Sequence, residues 1–220
     1  MAEKADIYWS HPAQSEIGDF DAFVWYDRNR NKITLKMLEG LSIKRVLSVG
    51  GRGWQERELM DVIQVDEKFI TDIVDGEGII EAAAEDLPFP GGYFDLVVCR
   101  EMIEHVEDDV KLIKELRRVL CKDGHLLITT PNAYAYPIDG VVHVRAYTPH
   151  SFVRFLESTG FEIIKKAGNI PYIFLALLPL SQRGIRKVLQ DFKEIAGMYK
   201  NYKQLYYISN QLFVLCRKEG

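Results

Sequence analysis

Three apolar runs, each ending at glycine or polar residues, dominate the hydrophobic pattern of the chain. They cover residues 45–49, 94–99 and 125–130, and the residues that follow them are Gly50-Gly51, Arg100-Glu101 and Pro131-Asn132. Short apolar runs bounded by turn residues are typical of strands buried in a parallel sheet. Because ligands of open α/β sheets bind beyond the carboxyl ends of the strands, the pattern predicts a ligand site in these loops.

Helices and further strands are predicted around these runs. Apolar residues recur at helical spacing in segments 31–40, 54–61, 107–120 and 149–158. Residues 69–74, 79–82, 161–166 and 211–216 read as additional strands, which brings the number of strands to seven. The order of elements therefore predicts an α/β fold with a Rossmann-like, mostly parallel sheet and helices on both faces.

The length of the chain, 220 residues, favours one domain. Residues 1–30 carry many aromatic side chains without a clean period, and we expect an irregular N-terminal arm. Residues 167–209 precede the last strand and are predicted to be a helical insertion that acts as a lid. Its apolar opening is too short to span a bilayer, so residues 170–200 are candidates for a homodimer contact or a peripheral membrane contact.

Charge, cysteine content and the distribution of apolar residues indicate which partners and which cellular compartment to expect. The 28 Lys and Arg residues against 32 Asp and Glu residues give a net charge of -4, which disfavours nucleic acid as a partner. The N-terminus lacks the apolar core of a signal peptide, and no apolar run is long enough for a transmembrane segment. Three widely spaced cysteines, Cys99, Cys121 and Cys216, are expected to be free thiols. We therefore expect a cytoplasmic protein.

The loop after the first strand has the glycines that a cofactor needs for close approach to backbone. Gly50, Gly51 and Gly53 supply a turn without Cβ atoms, although a dinucleotide-binding fingerprint begun at Gly51 fails at its third glycine. Asp72 lies 22 residues after Gly50 and is predicted to accept hydrogen bonds from ribose hydroxyls. Asp66, 16 residues after Gly50, is the competing carboxylate.

At these residues the sequence resembles the class I S-adenosylmethionine-dependent methyltransferases, over roughly residues 30–166. The resemblance implies S-adenosylmethionine as cofactor, methyl transfer to an oxygen or nitrogen of a small molecule, and a last strand that runs antiparallel between the fifth and sixth. The chain departs from the family pattern at four positions. Ser48 and Ala83 stand where the family has acids, and Arg52 and Trp54 stand where it has glycines.

The resemblance also implies which residues line the cofactor site. The backbone around Ala84 and Glu85 would read the adenine edge, and Leu87 would pack on the ring. Arg100 follows the fourth strand, where family members contact the methionine part of the cofactor. These residues complete a predicted cofactor set whose other members are Gly50, Gly51, Gly53 and Asp72.

Segment 100–106 is similar to ubiquinone-biosynthesis O-methyltransferases, in which Glu-x-x-Glu-His can hold a divalent cation. Glu101, Glu104 and His105 match that pattern and are the alternative ligand set, although we expect no metal. His105 is predicted to be the catalytic base or to orient the substrate, since its ordinary pKa lies near working pH. His143, in the loop past the fifth strand, is the second candidate for the base.

A rival hypothesis follows from the departures at Ser48, Arg52, Trp54 and Ala83. In that interpretation the chain keeps the methyltransferase fold but does not catalyse, and it binds a nucleotide-like ligand or a partner subunit instead.

Overall fold

The computed structural model describes residues 22–51, 53–135, 143–169 and 206–220, with side chains from Asn29 onward. Most of the predicted N-terminal arm therefore lies outside the described residues. The same holds for all but the ends of the predicted insertion at 167–209, including the candidate contact region 170–200.

Seven strands form one sheet, as the sequence predicts. They are β1 (Arg45–Val49), β2 (Glu67–Asp72), β3 (Ile80–Glu81), β4 (Phe94–Arg100), β5 (Leu120–Pro131), β6 (Phe161–Gly168) and β7 (Gln211–Lys218). Their order across the sheet is β3-β2-β1-β4-β5-β7-β6. The neighbours from β3 to β5 are parallel, whereas β7 runs antiparallel to both β5 and β6. The predicted fold class, with its antiparallel last strand, is confirmed.

Four α-helices accompany the sheet in the described residues. They are α1 (Ala22–Leu38), α2 (Trp54–Val62), α3 (Asp109–Val119) and α4 (Pro149–Ser158). Helix α1 begins at Ala22, within the range 1–30 that the sequence predicts to be an irregular arm. The first turns of the helix lack a clean apolar period, and for that reason the sequence pattern indicates a helix only from residue 31. Helix α4 begins with a hydrogen bond from the Ser151 amide to the Thr148 hydroxyl, and Pro149 lies in its first turn.

The two faces of the sheet carry separate apolar layers. Residues of α1 and α2, such as Ile33 and Leu59, pack with Val98 on one face. Residues of α3 and α4, such as Leu116 and Phe152, pack in the layer that contains Val97. Consecutive residues of β4 are thus buried on opposite faces, which explains why the central strands read as continuous apolar runs.

Among the described residues, no helix combines the length and apolar character that crossing a membrane requires. Cys99, Cys121 and Cys216 are free thiols, as expected.

Candidate active site

The carboxyl ends of the parallel strands bring the predicted site residues to one edge of the sheet. Val49 of β1 pairs with Thr71 of β2 and with Cys99 of β4. Arg100, at the end of β4, pairs with Thr129 of β5. Because β7 is antiparallel, its first residue, Gln211, also lies at this edge, opposite Pro131. We call this the carboxyl edge.

Gly50 adopts a backbone conformation that only glycine takes without strain. Its φ is +73°, and a Cβ there would lie 2.7 Å from the Met102 sulfur. The amides of Gly50 and Gly51 both donate to the Thr71 carbonyl oxygen, at 2.9 and 3.2 Å. These bonds hold the loop against the end of β2, and Gly53 then caps the start of α2. Position 50 therefore requires glycine, and the predicted contact of this loop with the cofactor stays a prediction.

Ser48 lies directly beneath this loop, where the resemblance places an acid. Its side chain is 1% exposed, and its Oγ has no hydrogen-bond partner within the described part of the chain. A Cβ on Gly51 would lie only 2.7 Å from that Oγ. A buried hydroxyl without a hydrogen-bond partner costs free energy.

Asp72 and Asp66 lie at opposite edges of the sheet. Asp72 is the last residue of β2 and 7% exposed, and its Oδ1 accepts a hydrogen bond from the Val74 amide at 3.1 Å. Asp66 precedes β2, where its amide donates to the Lys44 carbonyl oxygen. Only Asp72 shares the carboxyl edge with the glycine loop, which favours it as the ribose-binding carboxylate, although its role stays a prediction.

The loop after β3 is fixed by two residues of α3 that sequence reasoning missed. Glu115 Oε1 accepts from the Leu87 amide at 2.7 Å, and Arg118 donates to the carbonyl oxygens of Leu87 and Phe89. The hydrogen bond from Arg118 lowers the pKa of Glu115. The i, i+3 spacing of this ion pair was its only signal in the sequence.

Of the three residues predicted to contact adenine, two are buried. Ala84 and Leu87 lie in the apolar layer between the sheet and α3, whereas Glu85 is half-buried. Their contacts with adenine stay predictions.

The Arg100 side chain lies beneath α1 and α2. Its Nη2 is 2.6 Å from Glu56 Oε1, and its Nη1 donates to Asn31 Oδ1 at 2.9 Å. Burial lowers the pKa of the guanidinium, and the charge of Glu56 opposes that effect. Because the side chain is committed to this network, the predicted cofactor contact would fall to the Arg100 backbone, and it stays a prediction.

His105 and His143, proposed separately from the sequence, lie side by side. The centroids of their rings are 5.0 Å apart. His105 ends a 3-10 helix, Ile103–His105, and its Nε2 lies 3.8 Å from Glu104 Oε1. The Val144 amide donates to the Glu104 carbonyl oxygen at 2.9 Å, which ties the two segments together. A base and a residue that orients it can therefore act at the same place.

Two threonines at the end of β5 donate hydrogen bonds to Glu101 and Glu104, the two carboxylates that precede His105 in the sequence. Thr129 Oγ1 donates to Glu101 Oε1 at 2.7 Å, and Thr130 Oγ1 donates to Glu104 Oε2 at 3.1 Å. Glu101 has a φ of 50°, an unusual conformation for a residue with a side chain. Burial, and next the charge of Glu101, hold the pKa of Glu104 well above its ordinary value.

Glu104, His105 and His143 bring one potential metal-ligand atom each within 4.8 Å of one another. Glu101, which the sequence paired with Glu104 and His105, is not part of that cluster within the described residues. The expectation of no metal stays a prediction.

Comparisons with known proteins agree with this geometry. Residues 57–128 match the methyltransferase domain family. The chain is 31% identical over 94 residues to an uncharacterized methyltransferase, YcgJ, of Bacillus subtilis (strain 168), which covers 42% of this chain and 37% of that protein. It is 32% identical over 83 residues to the ubiquinone biosynthesis O-methyltransferase of Pseudomonas aeruginosa (strain LESB58), which covers 34% of each chain. These matches span only about a third of the length of those relatives.

Solved structures show the shared fold over most of the chain. The N-methyltransferase NodS from Bradyrhizobium japonicum WM9, in complex with S-adenosyl-L-homocysteine, has a TM-score of 0.65 and 13% identity, covering 99% of this chain and 98% of that one. Phosphoethanolamine N-methyltransferase 2 of Haemonchus contortus, in complex with S-adenosyl-L-methionine, has a TM-score of 0.58 and 17% identity, covering 87% of this chain and 53% of that one.

Proposed function

We propose that this chain transfers a methyl group from S-adenosylmethionine to an oxygen or nitrogen of a small molecule. The chain has the fold of the class I S-adenosylmethionine-dependent methyltransferases, and its residues 57–128 match the methyltransferase domain family. One observation supports this most. The glycine loop and Asp72 lie at the carboxyl edge of the sheet, and Thr130 at the end of β5 binds Glu104, the neighbour of His105, at the same edge. His143 lies beside His105. In open α/β sheets ligands bind at this edge.

Different residues at this edge would bind the cofactor and act on the substrate. Asp72 and the glycine loop would hold the nucleoside, and the backbone near Ala84 and Glu85 would hold the adenine. The cofactor supplies an already activated methyl group when bound. The protein then has to align the substrate, exclude water and take up the proton of the attacking group.

His105 is the proposed base, with His143 as the second candidate. The base would receive the substrate's proton at a ring nitrogen, and the imidazole's ordinary pKa of about 6.5 suits that exchange. We expect His105→Ala to lower turnover on the order of 10²-fold while cofactor affinity changes little. Turnover at the wild-type rate in this variant would show that His105 has no part in the mechanism. If a chelator abolishes the activity of the wild-type protein and magnesium restores it, the cluster of Glu104, His105 and His143 binds a cation.

The experiment that tests the proposal is titration calorimetry with S-adenosylmethionine and its demethylated product. We expect both ligands to bind at one site. The rival is a methyltransferase-fold protein that does not catalyse, and it is motivated by Ser48, which stands where the resemblance places an acid. Absence of heat with both ligands would overturn the cofactor proposal. Binding without methyl transfer to any small-molecule acceptor would support the rival.

A further inference from the structure

The segment from His143 to Thr148 is fastened to the beginning of α3 through one carboxylate. Asp109 Oδ2 lies 2.5 Å from Arg145 Nη1 and accepts a hydrogen bond from the Tyr147 hydroxyl at 2.6 Å. Arg145 also donates through Nη2 to the Glu107 carbonyl oxygen. Charge-assisted hydrogen bonds of this kind are shorter and stronger than neutral ones. We refer to Asp109, Arg145 and Tyr147 as the Asp109 clasp.

The residues of the Asp109 clasp are buried or partly buried, which strengthens the contacts between them. The side chains of Asp109 and Arg145 are 14% and 28% exposed, so solvent screens their attraction less than it screens a fully exposed pair. Tyr147 is buried and packs against the rings of Phe152 and Phe155. Burial, and next its hydrogen bond to Asp109, raise the pKa of Tyr147, so the hydroxyl stays protonated and remains a donor.

Asp109 is not needed to start its own helix. The residue before α3, Asp108, already accepts a hydrogen bond from the Lys111 amide at 2.8 Å and acts as the helix cap. The Asp109 carboxylate instead faces a segment 36 to 38 residues away in the sequence. Its contacts therefore serve the placement of that segment.

His143 lies two residues before Arg145, and Val144 between them donates to the Glu104 carbonyl oxygen. These contacts leave the His143 ring 5.0 Å from that of His105. We propose that Asp109 is a positioning residue that fixes His143 beside His105 through Arg145 and Tyr147. The importance of this arrangement for catalysis rests on the proposed function. The arrangement itself does not.

The test compares Asp109→Asn and Tyr147→Phe with wild type by nuclear magnetic resonance of the free full-length chain with labelled histidine. In wild type, the ring protons of His105 and His143 should give a cross-relaxation peak. We expect this peak to weaken in Asp109→Asn, where the Val144–Glu104 hydrogen bond remains, and to weaken less in Tyr147→Phe, which loses one arm of the clasp. Glu162→Gln is the matched control, because it breaks an exposed ion pair with Arg217 between β6 and β7.

An undiminished peak in folded Asp109→Asn would overturn the proposal, and if that variant does not fold, an undiminished peak in Tyr147→Phe would do so. With a substrate in hand, we expect Asp109→Asn to lower kcat on the order of tenfold while the dissociation constant for S-adenosylmethionine stays within about twofold. A chain that never transfers methyl groups would sink the proposed function, yet the peak would still decide whether Asp109 places His143.

Discussion

At the scale of single residues, Glu104 couples the chemistry of the site to the stability of the fold. Its carboxyl group is 2% exposed, and burial holds its pKa well above the ordinary value. The folded chain therefore keeps this proton at pH values where the unfolded chain has lost it. Stability from this group is fully present below the unfolded pKa of about 4.3, and it is lost as the pH rises toward the folded pKa.

Glu104→Gln should remove that dependence, because an amide does not ionise. We expect the free energy of unfolding of the variant to gain on that of wild type as the pH rises from about 4 to about 8. Urea unfolding at both pH values, with a chelator present, measures the difference. Parallel pH dependence in the two proteins would mean that the buried carboxylate is not penalised. Glu162→Gln, at an exposed site, is the control.

Asp72 and Asp66 offer a second comparison between matched residues. Asp72→Ala should weaken binding of S-adenosylmethionine about tenfold or more, since a hydrogen bond to a charged group contributes about 1.5–3 kcal/mol. Asp66→Ala, at the opposite edge of the sheet, should leave affinity within about twofold. Calorimetry on both variants decides, and the reverse pattern would show that the ribose carboxylate is Asp66.

At the scale of elements, the loop between β1 and α2 combines two separate demands on Gly50. The residue has a positive φ, and it leaves no room for a Cβ beside Met102. Gly78 shares the first demand, with a φ of +70°, but a Cβ there would meet no atom within 4 Å. The two glycines therefore separate backbone strain from crowding.

Gly78→Ala should cost about 1 kcal/mol of stability through backbone strain alone. Gly50→Ala should cost more, and it should also weaken S-adenosylmethionine binding because Met102 has to move beside the glycine loop that we propose holds the cofactor. Denaturant unfolding and calorimetry on the two variants measure these effects. Equal stability loss and unchanged cofactor affinity in Gly50→Ala would show that Met102 moves aside without consequence.

The sequence predicts the central strands well because both faces of the sheet are buried, which makes β1, most of β4 and the second half of β5 largely apolar. The first residues of β5 include Lys122, Asp123 and Gly124, so the sequence predicts that strand only from residue 125. It also predicts that the glycine loop, Asp72 and both histidines follow or end strands of the sheet, while their roles stay predictions. The Asp109 clasp could not be predicted, because Asp109 and Tyr147 are 38 residues apart and meet only through the packing of α3 against the segment before α4. Nor could the sequence show that the Arg100 side chain is held by Glu56, 44 residues away.

At the scale of the whole molecule, the cysteines report on opening of the sheet. Cys99 in β4 and Cys216 in β7 are fully buried in central strands, and burial raises the pKa of both thiols. Cys121 is only partly buried, and because burial also raises the pKa of its thiol, exposure is what distinguishes it from the other two. The thiolate is the reactive form, so reactivity requires both exposure and ionisation.

A thiol reagent should therefore modify one cysteine of the native protein and all three after unfolding. We expect the two slow thiols to react at the rate of global unfolding, since exposing central strands requires loss of the sheet. Cys121→Ser should abolish the fast reaction and leave the slow phase unchanged. Rapid modification of Cys216 in native protein would show that β7 detaches on its own.

The placement of β7 has a consequence for how a ribosome delivers this chain. β7 lies between β5 and β6 in the sheet, yet 42 residues separate the end of β6 from the beginning of β7 in the sequence. When β5 and β6 have been synthesised, the strand that joins them is still to be translated. The nascent chain then presents β5 as an open edge, which is a template for pairing with other chains until β7 arrives. Slow translation of residues 169–210 would lengthen that vulnerable interval.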